Sequence, residues 1–153
     1  MLLGVVELLM LIVQDASVED LESLAQLYEE LSGQETDLCQ MKENFKLMES
    51  NPNYVVLTAK EDNLVVGSVM GIICLDLVYQ CKPFMVIENV IVKRGWRGRG
   101  IGARLMKEIE EIGRKRECYY TMLVSGGQRK GAHQFYRAIG YDLDLVKGFK
   151  KYL

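Results

Sequence analysis

The chain has 153 residues, 49% of them hydrophobic, with 19 basic and 21 acidic side chains and a formal net charge of −2. That length supports one substantial core and hardly two, and the slightly acidic balance lacks the uniformly basic surface of a nucleic-acid binder. Four cysteines (Cys39, Cys74, Cys81 and Cys118) lack C-x-x-C spacing and have one histidine, His133, to join them. This argues against a structural zinc site and for reduced thiols in a cytoplasmic protein.

In chain order, residues 1–13 are apolar but contain Glu7, lack a basic n-region and are too short to span a bilayer, so neither a signal peptide nor a membrane anchor is expected. Residues 1–9 read as a start-site extension and 10–153 as one domain. Residues 11–14 predict a first strand. Ser17, with Asp20 three residues on, predicts a capping box ahead of a helix whose apolar face is Val18, Leu21, Leu24, Tyr28 and Leu31. Residues 37–49 repeat that pattern with Leu38, Met41, Phe45 and Met48, until Ser50-Asn51-Pro52 stops it.

Residues 54–61 and 64–77 flank Asp62-Asn63 and predict a hairpin, which the β-branched run 84–92 continues as a meander. Ile101, Leu105, Ile109 and Ile112 recur at helical spacing, and Arg114-Lys115-Arg116 completes that helix at its negative dipole end. A strand at 119–124, a helix at 131–139 and a final strand pair at 141–145 and 147–152 close the chain. Antiparallel strands followed by a strand, helix, strand crossover predict an α/β fold with a mixed, mostly antiparallel sheet flanked by helices.

The run Arg97-Gly98-Arg99-Gly100-Ile101-Gly102-Ala103 joins strand 84–92 to the central helix, and residues 93–104 hold five basic side chains and no acid. A glycine loop feeding a helix N-terminus is an anion site: free N–H groups and the positive dipole end face the ligand, and glycine lets the backbone approach it. Walker A chemistry is excluded, because Gly95 to Gly100 has the spacing but Ile101 and Gly102 stand where the Lys and Ser/Thr belong. A dinucleotide fingerprint is met by Gly98, Gly100 and Ala103. Glu117, however, precedes the next strand, whereas a ribose-binding acid belongs at that strand's far end.

The loop also resembles the R/Q-x-x-G-x-G/A motif of the GNAT superfamily of N-acetyltransferases, through Arg97, Gly100 and Gly102. A second segment, Ala132 to Tyr141, resembles that family's late A-x-x-F-Y-x-x-x-G-F/Y helix and turn. Two motifs in the family's order, with a strand between them, are far more specific than either alone. The stretch from Ser125 to Tyr136 is similar to small-amine acetyltransferases, including those acting on aminoalkylphosphonates and aminoglycosides.

The resemblance implies acetyl-CoA as cosubstrate, with no metal. Val90, Ile91 and Val92 would pair with the pantetheine arm, one N–H there facing the thioester oxygen. The N–H groups from Arg97 to Ala103, through Gly98, Arg99, Gly100, Ile101 and Gly102, would hold the pyrophosphate. Lys93, Arg94, Arg99 or Lys130 would stand near the terminal phosphates, with nothing in the sequence to rank them. Glu88, placed by strand alternation on the face of Val86 and Val90, is the candidate base for the amine proton, or else a structural carboxylate. Tyr136 fits the family's general acid near the departing sulfur, or else packs the core with Phe135 and Ile139. Arg129 would serve coenzyme A or an anionic substrate, or else is a solvated charge. His133 has no accompanying Ser or Cys motif for a hydrolytic triad.

The expected function is transfer of acetyl from acetyl-CoA to a primary amine, foremost a small molecule, by a cytoplasmic enzyme without nucleic-acid or membrane partners. The alternatives are acetylation of a protein N-terminus or lysine, and a non-catalytic acetyl-CoA-binding regulatory module. An edge-strand homodimer is compatible with such a sheet.

Overall fold

The hairpin anticipated around Asp62-Asn63 forms, with both turn residues in the left-handed conformation (φ 49° and 64°) that a two-residue connection between twisted strands requires. In this computed structural model, which describes residues 10–153, its arms are β2 (Tyr54–Glu61) and β3 (Leu64–Cys74). The proposed start-site extension at 1–9 lies outside the described residues. Strand β1 (Leu11–Asp15) pairs with β2, and β4 (Phe84–Val92) with β3, all antiparallel. A parallel β5 (Thr121–Met122) completes a sheet of order β1-β2-β3-β4-β5. This is the α/β fold with a mostly antiparallel sheet that the sequence predicts.

Two helices cover one face, α1 (Leu21–Ser32), preceded by a 3₁₀ turn at Val18–Asp20, and α2 (Leu38–Glu49). The anticipated box forms at that turn: Asp20 Oδ2 accepts both the Ser17 N–H (2.9 Å) and the Ser17 hydroxyl (3.2 Å). Asp20 is 5% exposed and meets Lys60 Nζ of β2 at 2.6 Å, which ties the start of α1 to the sheet. The long crossover helix α3 (Ile101–Lys115) covers the opposite face and buries Ile101, Leu105, Met106 and Ile109 against Leu57, Ala59, Val66, Val69, Ile73, Met85 and Ile87. Helix α4 (Lys130–Ala138) joins this core through Tyr136.

Close approach of α3 depends on Gly67: a Cβ there would lie 2.9 Å from Leu105 Cδ1 and 3.1 Å from the Ile91 carbonyl oxygen. Strand β3 ends at Cys74 rather than 77, because Asp76 Oδ1 accepts the N–H groups of Leu77 (2.7 Å) and Val78 (3.2 Å) and turns the chain off the sheet. Strand β5 is two residues long where 119–124 was expected, and the anticipated strands at 141–145 and 147–152 do not form. Their alternating pattern supplies propensity, but a strand also needs a paired edge. The short β5 offers little of one, and the Asp142 carboxylate turns the tail by accepting the Asp144 N–H at 2.9 Å. No described helix is long and apolar enough to cross a membrane.

Candidate active site

The site begins where β4 loses its neighbour. Parallel pairing to β5 stops at Val86↔Met122, so from Ile87 to Val92 the strand has no partner on that side, while pairing to β3 continues to Val92. A bulge interrupts this unpaired half. Met70 pairs with Glu88 and Ser68 with Ile91, so one β3 residue opposes Asn89 and Val90, and Asn89 takes φ 54°. The bulge resets the alternation: Met85 and Ile87 face the α3 core, Val90 and Val92 pack against that same core, and Ile91 enters the α1 core with Leu21 and Leu24. Glu88 therefore shares a face with Met70 and Val86, not with Val90 as unbroken alternation predicts. Asparagine tolerates the left-handed region through local hydrogen bonding, so Asn89 within a β-branched run was the available signal.

The glycine loop is pinned at both ends by acids that lie far away in sequence. Glu30 of α1 accepts the Arg94 N–H at 3.0 Å and lies 3.9 Å from the Arg97 guanidinium. Glu61, at the end of β2, accepts from Trp96 Nε1 and Arg99 Nη2, each at 3.0 Å. Arg97 Nε donates to the Val92 carbonyl at 2.9 Å, and Arg104 pairs with Glu108 at 2.8 Å. Three of the five basic side chains of the loop are thus engaged with protein carboxylates, and the carbonyl of Val92 is taken by Arg97. What faces outward is main chain. Gly98 and Gly100 are left-handed (φ 76° and 80°), and Gly100 has no side-chain cap to offer α3. The first helical bond runs from the Arg104 N–H to the Gly100 carbonyl, which leaves the N–H groups of Ile101, Gly102 and Ala103 ahead of it. Ile101 is buried in the α3 core. Gly102 lets the Phe135 ring approach: a Cβ there would meet it at 3.2 Å.

Helix α4 forms the other wall. Tyr141, just beyond it, donates its hydroxyl to Glu110 Oε1 of α3 at 3.0 Å and meets Thr121 Oγ1 of β5 at 3.0 Å, which fixes the helix against both elements. Tyr136 is 6% exposed, and its ring lies edge-on to Tyr141 at 5.9 Å. Burial pushes its hydroxyl above the ordinary tyrosine value; Arg129, the N-cap residue of α4, pulls it down, and Glu88 pushes it up. Glu88 on β4 and Arg129 at the start of α4 therefore both lie close enough for their charges to reach the Tyr136 hydroxyl. The loop before α4 contains the buried hydroxyl of Ser125, which has no hydrogen-bond partner, and His133 is held to the Gly126 carbonyl at 2.9 Å. Nothing in the sequence singled out Ser125.

Between α1, α2 and the sheet lies a cavity of about 330 Å³, with Met70, the cross-strand partner of Glu88, and Asn89 on its sheet side. No group of three or more His, Cys, Asp or Glu side chains that could hold a metal occurs among the described residues.

The Acetyltransferase (GNAT) family model matches residues 19–141. The aminoalkylphosphonate N-acetyltransferase of Salmonella typhimurium is 29% identical over 129 residues, covering 82% of this chain and 81% of its own. Among solved structures, a putative acetyltransferase from Agrobacterium tumefaciens superposes with a TM-score of 0.86 at 26% identity, over 93% of this chain and 99% of its own. An aminoglycoside N-acetyltransferase solved in complex with CoA shares the fold, with a TM-score of 0.80 at 16% identity over 93% of this chain and 95% of its own. The protein belongs to the GNAT family of acetyl-CoA-dependent N-acetyltransferases.

Proposed function

We propose that the protein acetylates a primary amine of a small molecule by direct attack, with Glu88 as base and Tyr136 as proton donor. The observation that carries this reading is the unpaired half of β4, bounded by Tyr136 on the α4 side and by the cavity over Met70 and Asn89 on the other. Coenzyme A fits the residues present. The N–H groups of Ile101, Gly102 and Ala103 would face a pyrophosphate without competing protein acceptors, the free edge of β4 beyond Val86 is open to a pantetheine arm, and the orphaned Ser125 hydroxyl is a buried polar group in need of a partner. Because Arg99 is committed to Glu61, Lys93, Arg94 and Lys130 are the better side chains for terminal phosphates. Arg129 stands where its charge reaches Tyr136.

When bound, acetyl-CoA supplies a thioester carbonyl and a thiolate leaving group. An ammonium has no lone pair for attack, so the acceptor must lose a proton first, and Glu88 takes it directly or through water. Tyr136 keeps its own proton through the neutral range because burial raises it, and so has one to give to the departing sulfur. The acceptor's small size is supported by the cavity's volume of about 330 Å³ and by the relative that acts on an aminoalkylphosphonate.

The test is thermal unfolding with acetyl-CoA, NAD and ATP in parallel. Saturation at about 100 times Kd adds about 2.7 kcal/mol, a shift of several degrees in Tm. A shift with acetyl-CoA alone is expected; a shift with NAD or ATP alone overturns the reading of the loop and, with it, the roles of Glu88 and Tyr136.

A further inference from the structure

The cavity between α1, α2 and the sheet carries information about the acceptor that the glycine loop does not. Its exposed lining is mostly apolar, contributed by Leu21, Leu24, Met41, Phe45, Met48 and Met70; Tyr28, Thr36, Asp37, Gln40, Asn44 and Asn89 add polar groups, and no Lys or Arg lines it. Lys60 of β2, which approaches the start of α1, is paired with Asp20. The N-terminus of α2 reaches the rim and would ordinarily attract an anion, but Asp37 occupies it: Oδ1 accepts the Gln40 N–H at 3.0 Å. The helix end's capacity for a negative charge is thus spent on the protein's own carboxylate. A phosphonate or phosphate entering here would lose its hydration and gain neither a guanidinium nor an ammonium. The volume, about 330 Å³, stands at the lower end of the range of small-molecule sites and suits one ring or a short chain.

From this we infer that the acceptor is a primary amine on an uncharged, apolar body of about one ring in size. Its ammonium is drawn by Asp37 at the rim and Glu88 beyond the floor, and its body is taken up by the methionine and phenylalanine wall. The inference rests on the acetyltransferase reading above and narrows it. It separates this chain from its relative that acts on an aminoalkylphosphonate, since anion recognition here is confined to the coenzyme side of β4.

The experiment measures acetyl-CoA binding by thermal shift, and then acetyl transfer to 2-phenylethylamine, hexylamine, 2-aminoethylphosphonate and glucosamine at saturating acetyl-CoA. The expected result is a kcat/KM for the two apolar amines at least tenfold above that for the phosphonate and the amino sugar. Met41→Lys should raise KM for 2-phenylethylamine at least tenfold while the acetyl-CoA shift stays the same. Coenzyme binding together with preferred turnover of the phosphonate or the amino sugar, with no turnover of either apolar amine, or with an unchanged KM in Met41→Lys overturns the inference and leaves the acetyltransferase reading standing. Absence of an acetyl-CoA shift instead overturns that reading, and this inference with it.

Discussion

The two faces of β3 are built to opposite ends. Toward α3 the strand presents Gly67, Val69, Gly71 and Ile73, and the helix sits so close that a single added carbon at Gly71 would lie 2.9 Å from Ile109 Cδ1. Toward α1 and α2 it presents Ser68 and Met70. There Tyr28 donates to the Ser68 hydroxyl at 3.1 Å, while the space over Met70 stays open. One side of the strand is spent on packing and the other on a cavity lined by Met70, the cross-strand partner of the candidate base. Substitutions on the open side should therefore cost turnover without stability, and substitutions on the packed side the reverse.

The largest effect belongs to Glu88→Gln. Loss of a general base lowers kcat by about 10²- to 10⁴-fold, and because this half-buried side chain lies on the open face, Tm should stay within a degree or so. Unchanged kcat would remove Glu88 from the chemistry, and a parallel fall in Tm would mark it as structural. Gly67→Val is the mirror experiment. Its side chain must displace Leu105 and press on the Ile91 carbonyl oxygen, which has nowhere to go. Overpacking of this kind costs about 3 kcal/mol, or roughly 6–12 °C in a chain of this size. Met70→Leu, volume-conserving and on the cavity side, should cost less than about 1.5 kcal/mol. Equal losses from the two would abolish the distinction between the faces.

Asp20 tests how the open side is held up at all. Burial disfavours its carboxylate, but the bonds from Lys60 and Ser17 and the charge of Lys60 overcome that and hold it below the ordinary aspartate value. Asp20→Ala leaves the largely buried Lys60 ammonium unpaired and should cost about 2–3 kcal/mol, somewhat under the usual loss for a broken buried pair because Lys60 retains some access to water. The pH dependence has a definite sign. A carboxylate whose folded pKa lies below its unfolded one contributes stability above the unfolded value of 3.8, and that stability is lost as pH falls through the folded pKa. Urea midpoints between pH 2 and 5 should fall less steeply in Asp20→Ala than in the parent chain. Parallel curves would mean that the pair contributes nothing.

Local patterns were legible in the sequence, and long-range pairings were not. The Asp62-Asn63 turn, the period of α3 and the extent of β4 follow from residues within a few positions of one another. The acids that pin the glycine loop, Glu30 and Glu61, are separated from Arg94 and Arg99 by 64 and 38 positions, and no local rule joins them. The positive charge concentrated in residues 93–104 is consequently less free than composition suggests. Asn89 moved Glu88 to a different face from Val90 because a single bulged residue inverts a period of two. The tail failed as strands for a related reason: Leu143 and Leu145 alternate correctly, but alternation describes a face and not a partner.

The smallest effect should come from Tyr136→Phe, and it bears on both faces at once, because this residue is packed into the α3 core while its hydroxyl senses Glu88 across the strand. Phenylalanine keeps the ring and its contacts with Phe135 and Tyr141, so Tm should scarcely move. Thiols have a pKa of about 8.5 and leave tolerably well as thiolates, so loss of the proton donor should lower kcat only about tenfold, equivalent to about 1.4 kcal/mol. Burial raises the hydroxyl above the ordinary tyrosine value, with Glu88 adding to the rise and Arg129 offsetting part of it, so it stays protonated from pH 6 to 9. The gap between parent and variant should accordingly be constant across that range, and any rise in rate with pH should be common to both, since it reports loss of the acceptor amine's proton. A gap that closes at higher pH would show that Tyr136 titrates within the range. No gap in kcat, with a lowered Tm, would assign the residue wholly to the packed side of the sheet.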